Sequence, residues 1–195
     1  MTKHIGVAGR VGAALVVAAT LGAQAAEPLA VPARFTGLAI GDAGGSAPID
    51  GTISRWSTRA EVEQVAAAFS DSGMDGLVRA LERLKRVGFF RQTGSLGTDL
   101  QFSEQVAQPD GGLRITLMGE RRLAFGEVPG IAYSADFPLT VIELRVNNQG
   151  EGTGTIWPAT RITYWDPESH LIIFDNYTLL PLQVTSVRVQ PERKR

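Results

Sequence analysis

The sequence predicts an α+β fold that is mainly antiparallel β: a curled sheet or partly open barrel with a helical pair inserted near residues 59–86. Three observations predict it. From Val87 onward, short runs rich in β-branched and aromatic residues recur between turn-forming clusters such as "PDGG" and "NNQGEG", which is the pattern of successive hairpins. Only one region switches to helical spacing, with Val62, Val65, Ala66 and Phe69 at i, i+3, i+4 and i+7, the period of one buried helix face. Strands and helices do not alternate, as a parallel sheet would require.

The elements follow in order. Residues 1–25 have a basic start (Lys3, Arg10), an apolar run from Val11 to Ala23, and small residues at Ala23 and Ala25. That is the layout of a secretory signal peptide cleaved after Ala25. The apolar run is about 13 residues against the roughly 20 that span a bilayer, so it reads as a signal rather than an anchor. Residues 26–34, with Pro28 and Pro32, read as a flexible lead into a single β-rich domain over 35–190. "RFTGLAI" is a first strand, the Gly- and Asp-rich 41–51 a loop, and "TISRW" a returning strand.

Thr58 and Glu61 have capping-box spacing, so a helix starts at about residue 59 and runs to 69. "SDSGMDG" breaks it, and Leu77, Val78, Leu81 and Leu84 restart the helical period with Arg79, Glu82, Arg83 and Lys85 left for solvent. "VGFFRQ", "TDLQFSEQVAQ", "GLRITLMGE", "PLTVIELRV", "GTIWPATRITYW", "LIIFDNYTLL" and "LQVTSVRV" then read as strands. A charged tail over 191–195 closes the chain.

Composition excludes several activities. Loss of Lys3 and Arg10 with the signal leaves 17 of 19 basic residues against 20 acidic ones, a formal net charge of −3. Nucleic acid is therefore not an expected partner, because a phosphate backbone calls for a basic surface. With no cysteine in the chain, disulfides, thiolate nucleophiles, thiolate metal sites and a lipid-modified cysteine are all ruled out. The expected product is periplasmic or secreted, with a single core, no integral membrane segment after signal cleavage, and no cofactor or metal.

Motifs that carry chemistry are sparse. His170 is the one histidine left after signal cleavage, and without a second imidazole it is expected to be a hydrogen-bonded or solvent-facing residue beside the "DPES" turn. "TGSLGTD" and "EGTGT" lack the lysine of a phosphate loop and read as turns. Asp71, Ser72 and Asp75 are too few ligands for calcium and sit where acids favour a helix start.

The stretch "DFPLTVIELRV" poses the sharpest question. Strand period 2 puts Leu139, Val141, Glu143 and Arg145 on one face and Thr140, Ile142, Leu144 and Val146 on the core face. Glu143 and Arg145 then project about 7 Å apart along the strand. They belong either to an outer face laced with ion pairs or to a charged cluster in a barrel mouth that orients a ligand. The outer face is the simpler reading.

Three functions are expected, in this order. The first is non-enzymatic binding of a small apolar or amphipathic ligand, with Arg91, Phe102, Glu143, Arg145, Trp157 and Tyr164 as its contacts. The second is a protein–protein interaction module of the cell envelope, and the third a carboxylate-dependent hydrolase. "RWST" at 55–58, "VGFFR" at 87–91, "PDGG" at 109–112 and "FPLTVIELRV" at 137–146 together resemble a family of exported bacterial proteins of unknown function. The resemblance covers most of the mature chain. It implies an exported single-domain protein and carries over no catalytic residue.

Overall fold

A computed structural model describes residues 27–41, 44–95, 97–120, 136–176 and 180–192. The signal-peptide reading of residues 1–25, Tyr177 at the end of a predicted strand, and residues 193–195 of the charged tail lie outside the described residues.

The expected α+β class is what the chain adopts. Strands β1 (Ala33–Ile40), β2 (Ser46–Ile53), β3 (Gly88–Gln92), β4 (Thr98–Leu100), β5 (Phe102–Ala107) and β6 (Leu113–Gly119) are followed by β7 (Leu139–Val146), β8 (Glu151–Asp166), β9 (Leu171–Asn176) and β10 (Leu182–Pro191). The sheet order is β4-β3-β2-β1-β10-β8-β7-β6-β5, with β9 attached to β8. Every pair is antiparallel. Gln101 alone separates β4 from β5, and β4 pairs with β3 while β5 pairs with β6. One bent strand thus joins the two ends of the sheet and nearly closes it into a barrel.

Two sequence expectations change here. The loop read over 41–51 is half strand, since β2 begins at Ser46 and turns Ile49 and Ile53 inward against β1 and β3. Pro48 is tolerated because the β2–β3 ladder begins only at Ile49 opposite Gln92. "EGTGT" is not a turn but the start of β8. Its glycines let β7 approach closely, and a Cβ on Gly154 would lie 2.7 Å from the Glu143 carbonyl oxygen.

The single expected core is instead two, one on each side of the sheet. Inside the barrel, Ile142, Leu144 and Val146 of β7 meet Phe35, Ile49, Phe90, Leu100, Ile115, Leu117 and Ile156. Phe35 and Phe90 stack there with ring centroids 6.0 Å apart, so side chains fill the interior. On the outer face Leu139 and Val141, the residues facing away from that interior, are equally buried in a second cluster with Phe102 and Met118. Period 2 assigned the faces of β7 correctly but did not show that something covers the outer one.

Helix α1 (Arg59–Arg83) is part of that cover, through Val65, Leu77, Ala80 and Leu81. The capping box forms as read: the Thr58 side chain accepts from the Glu61 N–H and the Glu61 carboxylate from the Thr58 N–H. The predicted break between two helical segments falls at Ser72 and Gly73, where Gly73 has φ 59°, a backbone conformation that costs glycine little. Arg55 anchors both ends of the helical region. It makes a bidentate pair with Glu61 (2.8 and 2.9 Å) and donates to the Lys85 carbonyl (2.7 Å).

At one end of the barrel the lead is tied down. The Leu29 N–H donates to the Gln105 side chain (2.8 Å), the Trp56 indole donates to the Leu29 carbonyl (3.0 Å), and Leu29 and Val31 pack against the inner core. Among the described residues no helix is long and apolar enough to cross a membrane.

Candidate interaction surface

The remaining cover of the outer wall is the β8–β9 hairpin, and β8 places it there. The first half of this 16-residue strand lies between β10 and β7, and its second half pairs with β9. Register irregularities opposite Leu139/Val141 and between Ile162 and Tyr164 interrupt the ladder. Such irregularities bend a strand, and the bend lays the hairpin back over the wall. Trp165 meets Phe102 edge-on (5.5 Å, 88°) and Phe174 tilts against Trp157 (5.0 Å). Ile162, Trp165, Ile172 and Phe174 therefore face the second core.

The hairpin tip is fastened to β5 and β6. His170, at φ 53°, sets its Nδ1 2.8 Å from Glu104 Oε1, and Arg114 Nη2 donates to the His170 carbonyl at 2.6 Å. Arg114 Nε is buried without a partner among the described residues. Within the turn, the Ser169 hydroxyl and the Glu168 and Ser169 N–H groups hold the Asp166 carboxyl below the usual carboxylate range.

The register explains the charged pair in "DFPLTVIELRV". Cross-strand partners align Phe102, Met118, Val141 and Trp157 in one outer row, Glu104, Thr116, Glu143 and Thr155 in the next, and Val106, Arg114, Arg145 and Thr153 in a third. The first row lies in the second core, the second is polar, and the third sets Arg114, Arg145 and Thr153 beside Val106. Arg145 Nε pairs with Glu143 Oε1 at 2.8 Å on its own strand. Further pairs lace the outer surface: Arg91 with Asp50, Arg86 with Asp99, Arg161 with Asp175 and Arg188 with Glu151. Most have a partner more than a third exposed, so each contributes little to stability.

The six residues expected to contact a ligand do not converge. Phe102 is fully buried in the second core, with Trp157 at its margin. Glu143 and Arg145 neighbour them on the outer wall, Tyr164 is exposed on the hairpin, and Arg91 stands on the β2–β3 wall. A cleft of about 1060 Å³ does open at the barrel end, bordered by polar residues such as Gln108, Asp110 and Gln190 and by apolar Leu29, Leu113, Val146 and Val189 in similar measure. Arg145 is the only one of the six to reach it. Glu104 and Glu143 lie in one row of a single sheet face with Thr116 between them, engaged by His170 and Arg145, and not across a cleft as paired hydrolytic carboxylates do. Among the described residues no group of three or more acidic or histidine side chains is placed to hold a metal.

What stands out is the solvent side of the hairpin. The exposed large apolar side chains among the described residues are Tyr164 (48%), Leu171 (46%), Ile173 (49%) and Leu180 (66%). Tyr164 and Ile173 are directly paired across β8 and β9. Among the described residues β8 is the only strand that pairs with β9, and no other strand lies on the second edge of β9. Sequence reading placed a strand here but missed the surface, because "LIIF" has the composition of a buried strand and nothing in its spacing says which half is covered. The His170–Glu104 contact, 66 residues apart in the chain, had no local signal either.

Compared with protein-family models, curated proteins and solved structures, the chain matches none.

Proposed function

We propose that the protein is an exported interaction module of the cell envelope that docks an extended strand onto the second edge of β9. The observation that carries this reading is the exposure of Leu171 and Ile173 on one face of β9, beside Tyr164 of β8, on a strand that has a second edge unpaired among the described residues. Backbone N–H and C=O groups on such an edge bind another strand through ladder hydrogen bonds, while flanking side chains select its sequence. Export rests on the signal-like residues 1–25 and on the resemblance to exported bacterial proteins.

Site-specific photocrosslinking in the native host tests it. A photoreactive residue at Ile173 or Leu171 is expected to give a discrete adduct with a polypeptide, and one at Arg34 on the far wall is expected to give none. Absence of adducts from both hairpin positions would overturn the proposal.

A further inference from the structure

We infer that the end of the barrel holds a peptide-reading slot in which the lead, residues 27–32, is an exchangeable occupant, and that the slot takes an extended, leucine-containing peptide in the lead's place. The slot is separate from β9, so its failure leaves the docking reading above untouched.

The slot follows from the seam of the barrel. β5 ends the sheet order and, among the described residues, has only β6 beside it. Ser103 and Gln105 lie opposite Leu117 and Ile115 of the inner core. Directly opposite residues share a face, so these two polar side chains of β5 turn toward the interior, where polar groups need partners. Ser103 is met by the segment after β2: its N–H donates to the Ser57 hydroxyl (3.0 Å) and its hydroxyl to the Arg55 carbonyl (2.9 Å). Among the described residues the Gln105 amide is met by Leu29 alone. It accepts from the Leu29 N–H at 2.8 Å and reaches the Leu29 carbonyl at 3.5 Å, and the Trp56 indole donates to that carbonyl at 3.0 Å.

These groups read a main chain. They offer an acceptor for the N–H and donors for the C=O of one residue, as a neighbouring strand does, and none of them needs the covalent link from Leu29 to β1. Leu29 and Val31 pack on the inner core while Pro28, Ala30 and Pro32 are exposed. Selection therefore falls on an apolar side chain of leucine size, and proline is accepted just before it.

The same features make the lead exchangeable. Pro28 and Pro32 have no N–H to give a ladder, and strand pairing begins only at Ala33. From Glu27 to Val31 the hold among the described residues is the two main-chain groups of Leu29 and two half-buried side chains. Segments with so few buried contacts open without global unfolding. Pro28, Leu29 and Ala30 also wall the barrel-end cleft beside Leu113, Val146 and Val189 of the inner core, so a departing lead opens that cleft onto the core.

A synthetic peptide of residues 27–32 is the probe. In the chain beginning at Ala26, Leu29→Asp empties the slot, because a carboxylate is costly to hold against an apolar core. This variant is expected to bind the peptide, with the Trp56 indole N–H resonance returning to its wild-type position. The wild type, whose tethered lead competes at millimolar effective concentration, is expected to bind at least about tenfold more weakly. Adding Gln105→Ala to the variant should weaken binding by about three- to tenfold, and a peptide carrying Leu29→Asp should not bind. A variant that is folded by far-UV CD and does not bind the peptide at about 5 mM, or binding indifferent to the leucine, overturns the inference. Amide exchange on the wild type needs no variant: the Leu29 N–H is expected to exchange at least about 100-fold faster than the paired amides of β1. Equal protection would mean that the lead opens only with the whole barrel, which also overturns the inference.

Discussion

Phe102 separates a surface contact from a structural anchor. Its side chain is 0% exposed, lies across from Met118 in the β5–β6 ladder, and meets the Trp165 ring edge-on at 5.5 Å. Replacing it with alanine opens a cavity between the barrel wall and the hairpin, at a cost of about 3–5 kcal/mol. The edge-on aromatic contact accounts for roughly 0.5–1.5 kcal/mol of that. For a domain of this size the change lowers Tm by roughly 10 °C, taking about 2–4 °C per kcal/mol. Tyr164→Ala, at an exposed site on the same hairpin, is expected to stay within about 0.5 kcal/mol. Urea unfolding followed by far-UV CD measures both. If Phe102→Ala costs no more than Tyr164→Ala, the hairpin does not cover the wall and the second core is wrong. A double-mutant cycle with Trp165→Ala adds a further check, since two side chains in contact should be non-additive by about 0.5–1.5 kcal/mol.

Three further outcomes are expected. The Arg55 guanidinium beside Glu61 holds that carboxyl below the usual carboxylate range, so the pair's stabilisation is complete above the unfolded value of about 4.3 and fades as pH falls through the lower folded one. Glu61→Gln should thus cost about 1 kcal/mol at pH 7, and the gap between its urea midpoint and that of wild type should close below about pH 4; a gap unchanged at pH 3 would contradict this. Gly154→Ala, whose Cβ would lie 2.7 Å from the Glu143 carbonyl oxygen and 2.8 Å from Leu144 Cδ2, should lose about 1–3 kcal/mol, and a neutral result would mean that β7 and β8 are not so close. His170→Ala removes the side-chain link to Glu104 while leaving the carbonyl bonded to Arg114. It should speed amide exchange in β9 with little change in the inner barrel, and uniform exchange across both would refute a local fastening.

Much of the fold was legible because local physics specifies it. The Thr58/Glu61 box, the break at Gly73 and the alternation of Ile142, Leu144 and Val146 are each set by neighbours within a few residues. The misreadings have one common origin. "GDAGGSAPIDG" and "EGTGT" have turn composition, yet β2 and β8 form there because glycine fits where a neighbouring ring or carbonyl approaches closely. Composition registers the glycines and not the close approach.

The candidate surface was legible only in part. Tyr164 was singled out from sequence and is on it, while Leu171 and Ile173 were read simply as members of a strand. Phe102 and Trp157 were chosen with Tyr164 for their aromatic character, and they serve the covered side of the same hairpin.

By itself the sequence determined an antiparallel β-rich chain without cysteine, its one helical region, and which side chains of the strand holding Glu143 and Arg145 share a face. The tertiary structure decided what each face meets. A period of 2 divides a strand into two faces but contains no information about curvature, and it is the irregular register of β8 that folds Trp165 onto Phe102 and leaves Leu171 and Ile173 in solvent. Burial is a property of the whole chain's path, because an apolar residue is covered only where a distant segment arrives to exclude water.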